Sequence, residues 1–267
     1  RPPDIILFRL ILSHFRQEHN PRDLMIFPPH GILFLVIFMN NIPVFTGQGG
    51  TATLILREIP VSQRAYILLR TVLPGMAKNL VAECASFSRM CGAEEVFASW
   101  ADGDLPFLPP AYDIYLLHIS KSALPEGKPV QLVPMTPEND AIYQRIYNRC
   151  FSQVSHAASY DRGQIARIYR EHQKAFLALD EEGRPYGIGE LHGDELAAIA
   201  VLPNARGTGT DLAISLLHLC PGEDLKVTVA SDNEAAMHLY EKLGFHVSGV
   251  ESRWFQVLRP APHPVKT

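Results

Sequence analysis

The spacing of apolar residues divides the chain into two runs of alternating elements, separated by one polar, proline-bearing stretch. In the C-terminal run, Val130–Val133 reads as a short strand, and helical spacing follows over Ala141–Phe151 and Asp161–His172. Ala175–Leu179 and Pro185–Leu191 read as a hairpin closed by the turn Asp180-Glu-Glu-Gly-Arg184. Glu195–Leu202 is a buried strand that stops at Pro203, and a glycine-containing loop leads into an apolar helix over Leu212–Leu219. Leu225–Ala230 is a further strand. Ser231–Leu243 predicts a helix: Ser231 and Glu234 have capping-box spacing, Ala236, Tyr240 and Leu243 share one face, and Gly244 follows as the stop. Phe245–Gly249 and Trp254–Leu258 close the run as two strands. The predicted order is β-α-α-β-β-β-α-β-α-β-β, an α/β (α+β) arrangement on a mixed sheet.

The N-terminal run gives a blurred version of this plan. A helix is expected near Ile5–Arg16, with strands Gly31–Met39 and Val44–Leu56 on either side of Asn40-Asn41. Strand Ala65–Val72 ends before Pro74, helix Ala77–Met90 stops at Cys91-Gly92, and strand Val96–Trp100 follows. The likeness of plan predicts a divergent internal duplication. Between the runs, Ser120–Pro129 carries two prolines and a glycine and reads as a linker, predicting domains at 1–125 and 126–267.

Composition narrows the class. The 267 residues leave room for one large domain or two ordinary ones, and with 47% hydrophobic and 19% charged residues a packed globular protein is expected and a disordered chain is excluded. Lys plus Arg number 24 against 28 Asp plus Glu, a net −4 that argues against a nucleic-acid partner. The longest apolar stretch, Gly31–Met39, is too short to cross a bilayer, so no membrane partner is expected. The first residues, Arg1-Pro2-Pro3-Asp4, lack the features of a secretion signal. Cys84, Cys91, Cys150 and Cys220 show no CxxC or histidine-paired spacing. Reduced thiols, a cytoplasmic location and no metal are the expectation.

Two stretches carry candidate chemistry. In Val201-Leu-Pro-Asn-Ala-Arg-Gly-Thr-Gly-Thr210, glycines between a buried strand and a helix let several N–H groups face one way. With the positive end of the helix dipole they form an anion cradle suited to a pyrophosphate, and Arg206 can add a charge-assisted contact. An ordinary strand-to-helix turn would use the same glycines. A P-loop is absent, and Leu212 stands where a dinucleotide fingerprint needs its third small residue. In the second stretch, Ala230–Phe245, a capped helix carries Asn233 on its first turn and Tyr240 near its end. Alone, Tyr240 reads as a core aromatic.

In this order, on successive helix starts, the two stretches resemble the acetyl-CoA-binding motifs of the GNAT (GCN5-related N-acetyltransferase) superfamily. Its V-x-P-x-x-[RQ]-G-x-G-x-[GA] stands here as Val201, Pro203, Arg206, Gly207 and Gly209. Its N-x-x-A-x-x-L-Y-x-K-x-G-F is matched in full by Asn233, Ala236, Leu239, Tyr240, Lys242, Gly244 and Phe245. The resemblance covers roughly residues 130 to 258. It implies a GNAT fold, with the first half a degenerate, incomplete repeat in a tandem arrangement. It also implies acetyl-CoA as co-substrate, held by Ile199, Val201, Arg206, Gly207, Thr208, Gly209, Thr210, Asn233 and Tyr240. A bulged strand would splay from its neighbour, pantetheine would bond to backbone groups of Ile199 and Val201, and an acceptor amine would attack the thioester directly. Tyr240 would protonate the departing thiolate. One departure is Asp211, where the family has glycine or alanine: an acid pointing into the cradle would repel a pyrophosphate.

A base must also deprotonate the incoming ammonium, whose ordinary pKa is about 10.4. Glu190, on the strand leading to the binding strand, is the candidate; a solvent-face carboxylate is the alternative, and Asp194 and Glu195 read as solvated turn residues. His30 and His118 read as satisfied core or interface residues, His238 and His246 as surface residues. The N-terminal turn Thr71–Ala77 has one glycine and no cradle, so that half is expected to bind no CoA and to act as scaffold and one wall of the acceptor pocket. The expected function is N-acetyl transfer to a primary amine, of a small molecule or a peptide, by a monomer or homodimer. The alternative is a non-catalytic acyl-CoA-binding or interaction module.

Overall fold

The computed structural model describes residues 24–27, 34–39, 42–152 and 154–259. The helix expected near Ile5–Arg16, the start of Gly31–Met39 and His30 lie outside the described residues. Contacts gather into an N-terminal unit that runs essentially to Leu108 and a C-terminal unit spanning Pro109–Gln256.

In the N-terminal unit, β1 (Leu24–Phe27), β2 (Phe34–Met39), β3 (Ile42–Gly47), β4 (Gly50–Ile55) and β5 (Arg64–Val72) follow one another as antiparallel neighbours. Helix α1 (Ala77–Met90) crosses over and buries Leu80, Val81, Cys84 and Phe87. The crossover brings β6 (Glu95–Trp100) parallel to β5, paired at six successive positions from Arg64↔Glu95 to Leu69↔Trp100. The single strand expected over Val44–Leu56 is a hairpin turning at Gln48-Gly49. Gly50, at φ +138°, admits no side chain because a Cβ would strike the Thr71 carbonyl.

The C-terminal unit contains β7 (Pro110–Ser120), β8 (Gln131–Pro134), α2 (Asp140–Phe151), α3 (Arg162–Arg170), β9 (Lys174–Leu179), β10 (Pro185–His192) and β11 (Glu195–Val201). These are followed by α4 (Gly209–Leu217), β12 (Asp224–Ala230), α5 (Glu234–Leu243) and β13 (His246–Leu258). Its strands lie in the order β8-β9-β10-β11-β12-β7-β13, antiparallel except for β11 and β12, which α4 joins as a parallel crossover. Strand alternation sorts the core into two layers. Leu212, Leu216 and Leu217 of α4 and Tyr240 and Leu243 of α5 pack with Leu191, Val227 and Leu225. On the opposite face, Tyr143 and Ile146 of α2 and Ile165 and Ile168 of α3 pack with Leu177, Ile188 and Ala198.

The contacts divide the chain at 108/109 and not near 125, because β7 hydrogen-bonds β12 along one edge and β13 along the other. The stretch Ser120–Pro129 is correspondingly tied down: Lys121 Nζ donates to the Cys220 carbonyl at 2.7 Å and the Ser122 N–H to Glu223 at 2.8 Å. The two closing strands expected at 245–249 and 254–258 are one strand, β13, which follows β7 through three register shifts. Ser231 does not cap α5; its Oγ accepts the Asp113 N–H from β7 at 3.0 Å, and Asn233 takes the cap position. Gly244 ends α5 at φ +92°, as its position predicts.

Leu216 is fully buried, and its side chain occupies the space that a Cβ on Gly189 of β10 would need. Leu216→Ala should therefore destabilise the C-terminal unit by about 2–5 kcal/mol, read from denaturant unfolding of purified protein.

Candidate active site

Strand β11 is irregular on one edge and open on the other. Against β10, Glu190 pairs with Ala198 but Leu191 with Leu196, so Ala197 is an extra residue and forms a bulge. Against β12, the ladder holds at Glu195↔Lys226, where the Lys226 N–H also reaches the Asp194 carbonyl at 3.0 Å. Beyond that point no further pair forms among the described residues, and a cleft of about 650 Å³ opens between the strands. The Leu202 N–H donates to Tyr186 O at 2.8 Å, so the alternation turns the N–H groups of Ile199 and Val201 away from β10, into the opening. The Cys150 thiol donates to the Val201 carbonyl, with sulfur 3.6 Å from oxygen.

At the mouth of this cleft lies the Arg206–Thr210 turn. Gly207 sits at φ +99°, a left-handed conformation that suits glycine, and the Thr208 hydroxyl donates to Ala205 O at 2.8 Å, stiffening the turn into α4. A Cβ at Gly209 would meet no atom of the protein, so glycine there leaves space and relieves no internal contact. Arg206 and Lys242 both line the cleft, and neither forms an ion pair among the described residues; Lys242 Nζ donates to the Thr210 hydroxyl at 3.4 Å. Asp211 points elsewhere: its Oδ1 accepts the Lys128 N–H at 3.0 Å, outside the cleft. The nest of N–H groups thus keeps its positive character, and two cations stand beside it.

Asn233 uses its side-chain oxygen to accept the Ala236 N–H at 3.3 Å, which leaves its amide N–H groups for the cleft that it lines. Tyr240 also lines the cleft while being 5% exposed, its ring set edge-on to Phe245 at 5.6 Å. Burial first, and the Glu195 charge second, raise its phenol far above the usual range, so it carries its proton at any physiological pH. Of the residues picked from the sequence, Ile199, Val201, Arg206, Gly207, Gly209, Thr210, Asn233 and Tyr240 come together around one opening. Thr208 supports the turn from behind.

Glu190 is not brought into the opening. It lies one strand away on β10, and alternation directs it under α2, where Oε2 accepts the hydroxyls of Tyr143 at 3.1 Å and Tyr160 at 2.8 Å. Nor is it a solvent-face residue, at 4% exposure. His118 is satisfied by Asp224 at 2.9 Å, and His246 is exposed. His238 is exposed too but lines the cleft from α5, as do Tyr147 and Cys150 from α2 and His156 from the segment after α2. None of these was legible beforehand. Tyr143, Tyr147 and Phe151 recur at helical spacing, which reads as core, and His156 sits in an irregular segment.

An anion nest with adjacent cations and a backbone-lined slot with a buried phenol thus share one cleft. Residues 141–245 match the model of the acetyltransferase (GNAT) family. The chain is 28% identical over 85 residues to the peptidyl-lysine N-acetyltransferase YjaB of Escherichia coli, a match covering 32% of this chain and 58% of that protein. Against the protein of the same name in Salmonella typhimurium it is 27% identical over 111 residues, 41% of this chain and 75% of the other. A GCN5-related N-acetyltransferase from Sphaerobacter thermophilus shares the fold, with a TM-score of 0.51 at 14% identity over 85% of this chain and 83% of that one.

Burial, opposed by the two tyrosine hydroxyls and more weakly by Arg167 and His192, holds the Glu190 carboxyl above its ordinary range. The folded state then binds this proton more tightly than the unfolded chain, so its contribution is complete at low pH and is lost as pH rises through the folded value. Thermal midpoints measured from about pH 4 to pH 7 should fall for the wild type relative to Glu190→Gln, which keeps an acceptor for both hydroxyls but does not titrate.

Proposed function

We propose that the C-terminal unit transfers an acetyl group from acetyl-CoA to a primary amine. The observation that carries this reading is the seam between β11 and β12, which stays open past Glu195↔Lys226 in the cleft that Arg206, Gly207, Gly209 and Thr210 also line. In this reading the pyrophosphate takes the nest's N–H groups with Arg206 and Lys242. Pantetheine then lies along β11 as an added strand would, bonded to the backbone of Ile199 and Val201. Acetyl-CoA supplies the activated acyl group. The amine, positioned in the same cleft, attacks the thioester directly, so that binding the two reactants together does much of the work. A CoA thiol has an ordinary pKa near about 8.5, which makes its thiolate a mediocre leaving group, and Tyr240 gives it a proton. Tyr240 lines the cleft, which suits a group held ready for sulfur. The acceptor is an amine such as a lysine side chain, in keeping with the Escherichia coli relative, a peptidyl-lysine N-acetyltransferase.

The N-terminal unit is read as a degenerate repeat without its own cofactor. Its β3–β4–β5–α1–β6 path follows that of β9–β10–β11–α4–β12, but β5 and β6 stay paired where β11 and β12 part, and no cradle precedes α1. The four cysteines are free, which fits action in a reducing cytoplasm. A non-catalytic CoA-binding module draws no support from Asp211, whose carboxylate is occupied by the Lys128 N–H.

Calorimetric titration should give a single acetyl-CoA per chain, and Arg206→Ala with Lys242→Ala should weaken it roughly 10- to 100-fold, as loss of charge-assisted hydrogen bonds predicts. Two equivalents per chain would contradict the reading of the N-terminal unit. Release of CoA thiol should be seen with a lysine-containing peptide or a simple arylalkylamine as acceptor. Tyr240→Phe should lower that turnover by about 100-fold or more while leaving acetyl-CoA affinity nearly unchanged; equal turnover of the two proteins would remove Tyr240 from the chemistry.

A further inference from the structure

We propose that the imidazole of His156 is the base that takes the proton from the acceptor's ammonium, an inference that rests on the acetyltransferase reading above. An amine with a pKa near about 10.4 reaches the cleft protonated and cannot attack until it loses that proton. Glu190 is enclosed by Tyr143 and Tyr160, and no Asp or Glu is among the described residues that line the cleft. The imidazoles that line the cleft are those of His156 and His238, and imidazole is the side chain suited to taking up a proton near neutrality. His238 is exposed on α5, between Met237 and Leu239 and one turn from the cradle-side Lys242. His156 lies instead beyond the end of α2 and lines the cleft together with Tyr147 and Cys150 of that helix.

The surroundings of His156 are those of a placed group. Its ring centroid is 4.7 Å from that of Trp254 on β13, and Nδ1 lies 3.5 Å from the Tyr112 hydroxyl on β7. Tyr112 of β7 and Asp232, from the turn before α5, both face it. The residue is open to the cleft, yet the protein crowding its ring holds the imidazole below its ordinary value, with the Asp232 charge acting the other way. It is thus largely neutral at pH 7. Its backbone stands at φ +63°, a left-handed conformation that glycine or asparagine adopts with less strain. The chain holds a histidine where the backbone favours other residues.

With Nδ1–H directed at the Tyr112 oxygen, the lone pair of Nε2 takes a proton from R–NH3+. The freed nitrogen pair forms the C–N bond as the carbonyl π pair moves onto oxygen. Collapse of the adduct breaks the C–S bond, and the departing pair on sulfur takes the Tyr240 proton. The extra proton left on nitrogen restores the phenol through solvent, and the imidazolium releases its own proton to water. The sum is R–NH3+ plus thioester giving amide, thiol and H+. In these roles Tyr112 is a positioning residue and His156 a catalytic one.

The test uses the full chain with acetyl-CoA and, as acceptors, a lysine-containing peptide and phenethylamine. Two variants, His156→Gly and His156→Asn, both suit φ +63°, and thermal midpoints near the wild type are expected. Each should lower kcat/KM for the amine about 100-fold or more with acetyl-CoA affinity within about twofold of wild type, and added imidazole should restore His156→Gly by about tenfold or more. The wild-type kcat/KM profile should show an acid limb at or below about pH 6.5 that both variants lack. Variants within about threefold of wild-type kcat/KM, retention of the acid limb, or a loss that imidazole does not restore would each overturn the assignment and leave the acetyltransferase reading standing. A wild type that binds acetyl-CoA yet acetylates neither amine would overturn the acetyltransferase reading, and this base with it.

Discussion

Two parallel strands joined by a helix ordinarily hydrogen-bond along their shared length, and in the C-terminal unit β11 and β12 do so at Glu195↔Lys226 and then part. Every feature of the cleft depends on that interruption. The bulge at Ala197 turns β11 relative to β10 while the pairing of Gly187 with Val201 and Gly189 with Ile199 persists, so the strand is held on one edge and released on the other. Backbone N–H groups left on the released edge cost little while water reaches them, and they become a template for an extended ligand. Burial on the two faces keeps the parted strands in place. Leu212, Leu216 and Leu217 of α4 anchor the crossover, and Tyr143, Tyr147 and Ile146 of α2 cover the opposite side.

The N-terminal unit provides an internal comparison for the parted strands. It builds the same crossover from β5, α1 and β6, yet those strands pair through six positions and leave no slot. The turn into α1 contains Pro74 and Gly75, and Met76 precedes the helix with no side-chain cap. A shared path of the chain is therefore compatible with an open or a closed seam, and the difference lies in a bulge and a turn.

Charge placement completes the distinction between shape and chemistry. Arg206 and Lys242 stand beside N–H groups that already favour an anion, while the nearby acid, Asp211, is turned to a backbone N–H of the segment before β8. The other ionisable groups lining the cleft are phenols, a thiol and imidazoles, and the buried carboxylate of Glu190 on β10 is taken up by two tyrosine hydroxyls.

Much of this was readable from residues alone, because the informative signals are local. Glycines at 207 and 244 mark left-handed backbone, prolines at 203 and 74 stop strands, and the repeat of Ala236, Tyr240 and Leu243 fixes the buried face of α5; these depend on short-range geometry. So did the residues around the cradle. Tertiary contacts decided the rest. Whether Asp211 faced inward depended on Lys128, some eighty residues earlier in the chain, and whether Ser231 capped a helix depended on Asp113 of β7. The placing of β7 between β12 and β13 moved the boundary from the linker to residue 108, and the same long-range packing set Glu190 under α2 and His156 in the cleft. Strand neighbours and the direction of an exposed-looking side chain are settled by partners far away in sequence, and periodicity carries no information about them.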